Sequence, residues 1–298
     1  MRACILAVAA IGILPGQTLP LADILSRVSE EAEMFRRTAP QTLSEETLQQ
    51  RSLKPAPRFH PRVGSGATAR PVAEYQTREI VSEYTYASLR DSPGALHEFR
   101  QVISVDGRPV STPEKARHTL SLDLKSEDDR ARKRMLENFR KVGLIDAAMD
   151  FGQILLLFTR RELHNYDFRI VGTDRIGADE AIVLTYEQRQ GNQTMLVFEG
   201  KKTIRAKLDG KLWVRSSDGL PLRISLRSQW KEQRQLRRHE ATVEYAATPF
   251  GVVLPASVKH REFLDQELIT ENLFRYAPFK RFGANAEIKF DATGAGAK

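Results

Sequence analysis

Cysteine is almost absent from this sequence. Its 298 residues include one, Cys4, near the amino terminus. If the first residues are removed on export, the mature chain has no disulfide, no thiol nucleophile and no zinc–thiolate site. Such a chain is indifferent to an oxidising compartment.

The sequence also lacks an apolar run long enough to cross a membrane comfortably. Its apolar run, residues 3–14, follows Arg2 and ends at Pro15-Gly16, whereas a membrane helix needs about 20 residues. A basic start, a short apolar stretch and small residues are typical of a signal peptide, here predicted over residues 1–22. We therefore expect a periplasmic or secreted protein, with an uncleaved amino-terminal anchor as the alternative.

Catalytic motifs are missing as well. There is no Gly-x-Ser-x-Gly elbow, no phosphate-binding loop and no pair of histidines at metal-binding helical spacing. Two His–Glu pairs, His239 with Glu240 and His260 with Glu262, lie on neighbouring predicted strands and could approach each other. Ordinary packing or surface exposure accounts for these histidines without a functional site. The sequence predicts no catalytic residue, metal or cofactor, and favours a non-enzymatic protein over a hydrolase of unknown class.

Basic residues are in excess, with 46 Lys and Arg against 38 Asp and Glu, a formal net charge of +8. The strongest basic run is WKEQRQLRRHE, residues 230–240. Its Arg234, Arg237 and Arg238 are candidates for a docking patch that contacts an anionic membrane surface or an envelope protein. The alternative is a solvated hairpin end. Export removes the chain from nucleic acid, which we do not expect as a partner.

Four segments follow from the composition. Residues 23–53 carry apolar residues at helical spacing among charges and predict an amphipathic helical arm, with a second helix starting near Ser44. Residues 54–76, rich in proline and glycine, predict a linker. Residues 77–298 predict an antiparallel sheet domain with a helical insertion at 113–165.

Within the insertion, residues 126–142 have the strongest helix pattern. A capping serine precedes three acids, and Gly143 ends the helix. Residues 145–165 are predicted to be mainly helical, although their apolar run suits a buried strand equally well. From Asp167 onward, short alternating segments are separated by turns. This pattern indicates an antiparallel meander, because no room remains for crossover helices.

The hairpin DGKLWVRSSDGLPLRISLRSQW, residues 209–230, has one apolar face and one arginine-rich face. A loop at Ser217-Asp218-Gly219, with the glycine left-handed, would place Leu212 opposite Ile224 and Val214 opposite Leu222. The apolar side chains then share one face. The candidates for lining a ligand site on this face are Leu212, Val214, Leu222, Ile224, Leu226 and Trp230. Their alternative role is packed core.

This hairpin and the long meander resemble the periplasmic lipoprotein-carrier (Lol-type, LolA-like) superfamily and related outer-membrane lipoprotein-sorting proteins. The resemblance covers residues 167–290 and is best at 209–228. It implies an α+β fold: a long curved antiparallel sheet, or half-open barrel, with helices packed on its concave face. It also implies a cavity for acyl chains. No functional residue of the family can be transferred onto this sequence.

The sequence thus predicts an exported protein that binds a hydrophobic ligand, a lipid or lipoprotein acyl chain, in a curved sheet. The alternative is an envelope protein–protein interaction or sensor module.

Overall fold

Strands dominate the protein, whose structure is a computed structural model. The structure describes residues 19–54, 73–89, 92–126, 129–142, 144, 150–189, 195–199, 202–232 and 234–282. The described helices are α1 (Leu21–Thr38), α2 (Pro113–Ser126) and α3 (Asp129–Lys141), with 3₁₀ helices at Ala39–Gln41, Ile154–Phe158 and Leu163–Asn165. The described strands are β1 (Thr42–Leu53), β2 (Tyr75–Leu89), β3 (Ser92–Val105), β4 (Arg108–Pro109), β5 (Tyr166–Ile176), β6 (Asp179–Gln188), β7 (Met195–Glu199), β8 (Lys202–Arg215), β9 (Pro221–Glu232), β10 (Gln235–Ala247), β11 (Val253–Leu264), β12 (Glu267–Tyr276) and β13 (Lys280–Arg281).

These strands form an open, curved antiparallel sheet. The order is β4-β3-β2-β1-β12-β11-β10-β9-β8-β6-β5, with β13 beside β1 and β7 beside β8. Among the described strands, β4 and β5 are the two edges, so the sheet does not close on itself. The predicted α+β class, a long curved antiparallel sheet carrying helices, is therefore confirmed. Strands β8 to β12 pair in sequence order, as a meander requires, and β1 lies between β2 and β12.

The predicted helix over the second half of residues 23–53 is wrong. Residues 21–38 form α1, but Thr42–Leu53 is strand β1, so the sheet begins at Thr42 rather than at residue 77. The inward side chains of β1 are mostly polar, including Ser44, Glu46 and Gln50. An apolar period of two, the usual strand signal, is therefore missing from this segment. Nor is α1 a free arm, because one of its faces is buried against the sheet.

The helical insertion differs from the prediction in its second part, residues 145–165. Helix α3 accounts for most of the helix predicted at 126–142, and its Met135 and Phe139 are buried. The predicted cap is wrong, because Ser126 is the last residue of α2. Within residues 145–165, the described part holds two short 3₁₀ helices rather than a long helix. The apolar run Ile154–Phe158 is compact and mostly buried, which accounts for its composition.

Most of two predicted segments lies outside the described residues. These are the signal peptide, of which residues 19–22 are described, and the linker, of which 55–72 are not. Helix α1 begins at Leu21, so its first turn overlaps the predicted end of the signal peptide. Among the described helices, none combines the length and apolarity that a membrane span needs.

Candidate functional site

A continuous row of apolar side chains crosses the sheet at right angles to the strands. The row, called the apolar row below, consists of Leu212, Ile224, Val243, Val258, Phe274, Leu48 and Ile80, each paired with the next across β8, β9, β10, β11, β12, β1 and β2. None is more than 2% exposed. Because side chains directly opposite in neighbouring strands point to the same face, the row forms one apolar strip.

The predicted ligand-lining residues all lie on this covered face. Leu212, Val214, Leu222, Ile224, Leu226 and Trp230 are between 0% and 7% exposed. Leu212 is opposite Ile224, and Gly219 is left-handed with φ of 73°, both as predicted. Val214 is opposite Pro221 rather than Leu222, because the pairing shifts by one residue after Trp213. The bulge leaves both Val214 and Leu222 buried.

Two segments cover the apolar row. Helix α1 presents Ile24, Val28, Ala32 and Phe35, all with 0% exposure, at the spacing of one helix face. The second cover is the 3₁₀ helix Ile154–Phe158, which packs against α1. Both covers belong to the same hydrophobic core as the row. The structure therefore places α1 on the sheet rather than in a separate arm.

The buried face of α1 is not wholly apolar. Glu31 is 1% exposed on this face, and its carboxylate accepts a hydrogen bond from the half-exposed Arg27 at 2.5 Å. Burial raises the pKa of Glu31, and the Arg27 guanidinium only partly offsets this. The neighbouring Ser29 is also buried. A carboxylate taken out of water lowers the stability of the contact between this helix and the sheet.

A band of buried polar side chains runs beside the apolar row, one or two inward positions further along the strands. This polar band comprises Gln50, Asn272, His260, His239 and Glu262, all 0–3% exposed. Gln50 donates to Asn272 at 2.7 Å, Asn272 Nδ2 lies 3.2 Å from His260 Nδ1, and His260 Nε2 lies 2.9 Å from His239 Nδ1. The chain of contacts gives most of these buried groups a partner.

The histidines noted in the sequence do approach each other, but with different neighbours. His239 faces His260, and Glu262 lies 4.0 Å from His239. Glu240 points to the other face, where it binds Arg261 at 2.9 Å. Burial, together with His239, holds the pKa of His260 well below its ordinary value, so this ring is neutral. Within the described ranges, no cluster of side chains is suited to hold a metal ion.

A buried ion triad lies on the opposite side of the apolar row. Arg100 Nε donates to both carboxylate oxygens of Glu46, at 2.7 and 3.0 Å, and its Nη2 contacts Glu98. Gly152 N–H donates to Glu98 Oε1 at 2.7 Å, at a spot where a Cβ would come within 2.9 Å of that oxygen. All three charged side chains are 1% exposed. Burial raises the pKa of Glu98 to about 7; the charge of Arg100 opposes this rise, and the charges of Asp150 and Glu46 add to it.

The predicted basic docking patch is not one continuous surface. Arg234 is exposed in the turn between β9 and β10. Arg237 is half-buried and contacts Glu262 of the polar band. Arg238 lies 4.3 Å above the ring of Phe263 and 3.2 Å from Glu240. Two of the three guanidinium groups are therefore engaged within the protein.

Sequence reasoning missed the polar band and the ion triad. The only signal in β1 was that Glu46, Leu48 and Gln50 occupy alternate positions, which places them on one face of a strand. Because two of the three are polar, the segment resembles one exposed to solvent. The partners of these residues come from distant parts of the chain: Gln50 and Asn272 are 222 residues apart. Burial of such polar groups becomes visible only when the strand order is known.

Comparison with known proteins found similarity to solved structures at low sequence identity. No protein family and no curated protein sequence matches the chain. A DUF1329 family protein from Desulfovibrio piger is 10% identical, over 91% of this chain and 98% of that chain, with a TM-score of 0.37. An outer membrane lipoprotein-sorting protein domain from Vibrio parahaemolyticus is 12% identical, over 90% and 95%, with a TM-score of 0.34.

A LolA superfamily protein from Nitrosomonas europaea is 12% identical, over 87% of this chain and 94% of that chain, with a TM-score of 0.28. The lipoprotein-sorting and LolA-like proteins that the sequence resembles are thus among the solved structures to which this chain is similar. At such low identity the likeness concerns the fold alone.

Proposed function

We propose that the protein is an exported, non-enzymatic binding protein of the periplasm that takes up a hydrophobic ligand, a lipid or lipoprotein acyl chain. The ligand binds between α1 and the apolar row, where Leu212, Ile224 and Leu226 line the site. The observation that carries the proposal is the unbroken apolar strip across seven neighbouring strands, covered by α1 and the 3₁₀ helix Ile154–Phe158.

The dimensions of the row favour a chain-like ligand. Neighbouring strands are about 4.8 Å apart, so six steps between strands give a path of roughly 29 Å. Each leaflet supplies half of a bilayer core that is about 30 Å thick. The row is therefore long enough for an acyl chain lying across the strands.

Entry of a ligand requires α1 to move away from the sheet. The helix is joined to β1 only through Ala39–Gln41, and its buried face carries Glu31 and Ser29. An apolar ligand would replace the contacts of Ile24, Val28 and Phe35 with the row. This exchange conserves the buried apolar area and returns Glu31 to water. Both effects lower the free-energy cost of moving α1.

A reversible disulfide between α1 and the sheet tests this proposal. A Cβ placed on Gly219 would lie 3.3 Å from Arg27 Cβ, close to the Cβ separation of about 3.5–4.5 Å in disulfides. We would make Arg27→Cys/Gly219→Cys with Cys4 absent, and titrate it with a fluorescent fatty acid. The strain of a side chain at this left-handed position, about 1–2 kcal/mol, is the same in the oxidised and reduced forms.

The proposal predicts that the oxidised protein binds the fatty acid at least tenfold more weakly than the same protein after reduction. Gly219→Cys alone, carried through both treatments, is the control, and its affinity for the fatty acid should be the same after oxidation and after reduction. Equal binding by the oxidised and reduced forms would contradict entry beneath α1. Absence of binding to the wild-type chain would contradict the proposed function itself.

A further inference from the structure

The two covers of the apolar row meet at a seam that opens to solvent. A cleft of about 430 Å³ lies there, between α1 and Arg160, which is two residues beyond the second cover. It is lined by Arg27, Glu30, Glu33, Met34, Arg36, Arg37 and Arg160. Four arginines against two glutamates make this cleft basic.

The two glutamates are already matched by two of the arginines. Arg27 lies 3.6 Å from Glu30 and also binds the buried Glu31. Arg36 binds Glu33 at 2.6 Å. These contacts leave the positive charge of the cleft on the remaining two arginines.

Arg37 and Arg160 are both exposed, and neither forms a salt bridge with a charged group in the described part of the chain. Arg37 lies in the last turn of α1, where a cation interacts favourably with the helix dipole. That interaction does not explain Arg160, which comes from the other wall. Two like charges facing one cleft repel each other, and an anion between them removes the repulsion.

The floor of the cleft connects this charge to the core. Met34 lines the cleft and is partly buried, packed against the hydrophobic core. The adjacent Phe35 is fully buried under α1, and Phe158 is fully buried two residues before Arg160. A molecule that enters along the seam would thus pass from arginine to methionine to the apolar face.

We propose that this cleft binds the phosphate group of a phospholipid through Arg37 and Arg160, while an acyl chain of the same molecule lies beneath α1. The inference rests on the proposed function and names its ligand class: an anionic, phosphate-bearing amphiphile. Guanidinium groups suit phosphate because their donors can bind two oxygens at once. A neutral lipid would fill the apolar part of the site and leave the two cations unmatched.

Calorimetric titration with three probes tests the inference: dioctanoyl phosphatidylglycerol, dioctanoylglycerol and inorganic phosphate. The variant Arg37→Gln/Arg160→Gln removes both cations. Arg108→Gln/Arg175→Gln is the matched control, because these two exposed arginines lie on β4 and β5 at opposite ends of the sheet. Thermal melting confirms that each variant is folded.

The expected result is that Arg37→Gln/Arg160→Gln binds phosphatidylglycerol at least tenfold more weakly and dioctanoylglycerol as before, whereas the control binds both unchanged. Loss of two charge-assisted contacts is large enough for such a change. Equal affinity of the wild type for both lipids, unaffected by the double variant, would overturn the headgroup site and leave the hydrophobic function standing.

The other outcomes are also decisive. Binding of inorganic phosphate that depends on Arg37 and Arg160, without binding of phosphatidylglycerol, would identify free phosphate as the ligand and overturn the lipid assignment. Absence of binding by both lipids would overturn the proposed function together with this inference.

Discussion

The apolar row and the polar clusters on either side of it are equally buried but chemically opposite. Strand β1 shows the contrast along three successive inward positions: Glu46 in the ion triad, Leu48 in the apolar row and Gln50 in the polar band, at 1%, 2% and 0% exposure. The same sheet face therefore holds two kinds of interior. Their neighbours across the strands decide which kind each position joins.

The difference lies in how each region is stabilised. Apolar contacts depend on the area removed from water and have little directional preference, so one apolar partner can replace another. Buried ions and amides depend on particular partners at particular distances, and losing one leaves the other unsatisfied. We expect the apolar row to tolerate exchange of its cover, and the polar clusters to hold the sheet in one arrangement.

The largest effect should come from removing the cation of the triad. Arg100→Met leaves Glu46 and Glu98 buried without a counterion, and we expect a loss of about 3–5 kcal/mol in the free energy of unfolding. Urea titration near neutral pH measures it. Arg223→Met is the control, because Arg223 binds Glu244 at 2.5 Å in a partly exposed pair, and should cost about 1 kcal/mol or less. Similar losses of unfolding free energy in both variants would contradict the special role of the buried triad.

Truncation within the apolar row should cost less and be recoverable. Ile224→Ala is expected to lower the free energy of unfolding by about 3 kcal/mol, since it creates a cavity. A fatty acid that fills the site should restore part of this loss, seen as a rise in melting temperature. Leu120→Ala is the control: Leu120 is 2% exposed in a separate small cluster with Phe99. Equal recovery of both variants would contradict binding at the row.

The smallest effect concerns pH. The pKa of Glu98 is about 7 in the folded protein, above its unfolded value of about 4.3. The folded state therefore binds more protons between these values, and this group's contribution to stability is present at low pH and lost as pH rises through about 7. Glu98→Gln removes that dependence. The free energy of unfolding of Glu98→Gln, relative to that of wild type, should rise by on the order of 2 kcal/mol between about pH 5 and pH 8.

The control for the pH experiment is Glu267→Gln, at an exposed position of β12. Its stability difference from wild type should stay constant over the same range. A constant difference for Glu98→Gln as well would show that Glu98 is already ionised at low pH.

The sequence was sufficient to predict the structure of regions whose contacts are local or apolar. The alternation of Leu222, Ile224 and Leu226 predicted the covered face of β9, because burial of one face produces that period directly. The hairpin register was correct at Leu212 and Ile224 and failed after the bulge at Trp213, which the turn residues do not encode. The charge pattern predicted α3, whereas Ser126, predicted as its cap, ends α2 instead.

Prediction failed where burial depends on distant polar partners. Strand β1 resembled a helix start, since Glu46 and Gln50 become inward residues only beside Arg100 and Asn272. The sequence indicated that His239 and His260 could approach each other, but not that they are buried within a polar band, because Gln50 comes from a remote strand. Ile154–Phe158 was predicted as part of a longer helix, since a short apolar run does not distinguish the alternatives.

The most direct test of the central claim is native mass spectrometry with organic extraction. The protein would be exported to a Gram-negative periplasm and purified without detergent. Our account predicts a bound phospholipid or acylated peptide at close to one per chain in the wild type. A ligand-free mass for protein prepared in this way, with no lipid in the extract, would contradict it and leave the apolar row as closed core.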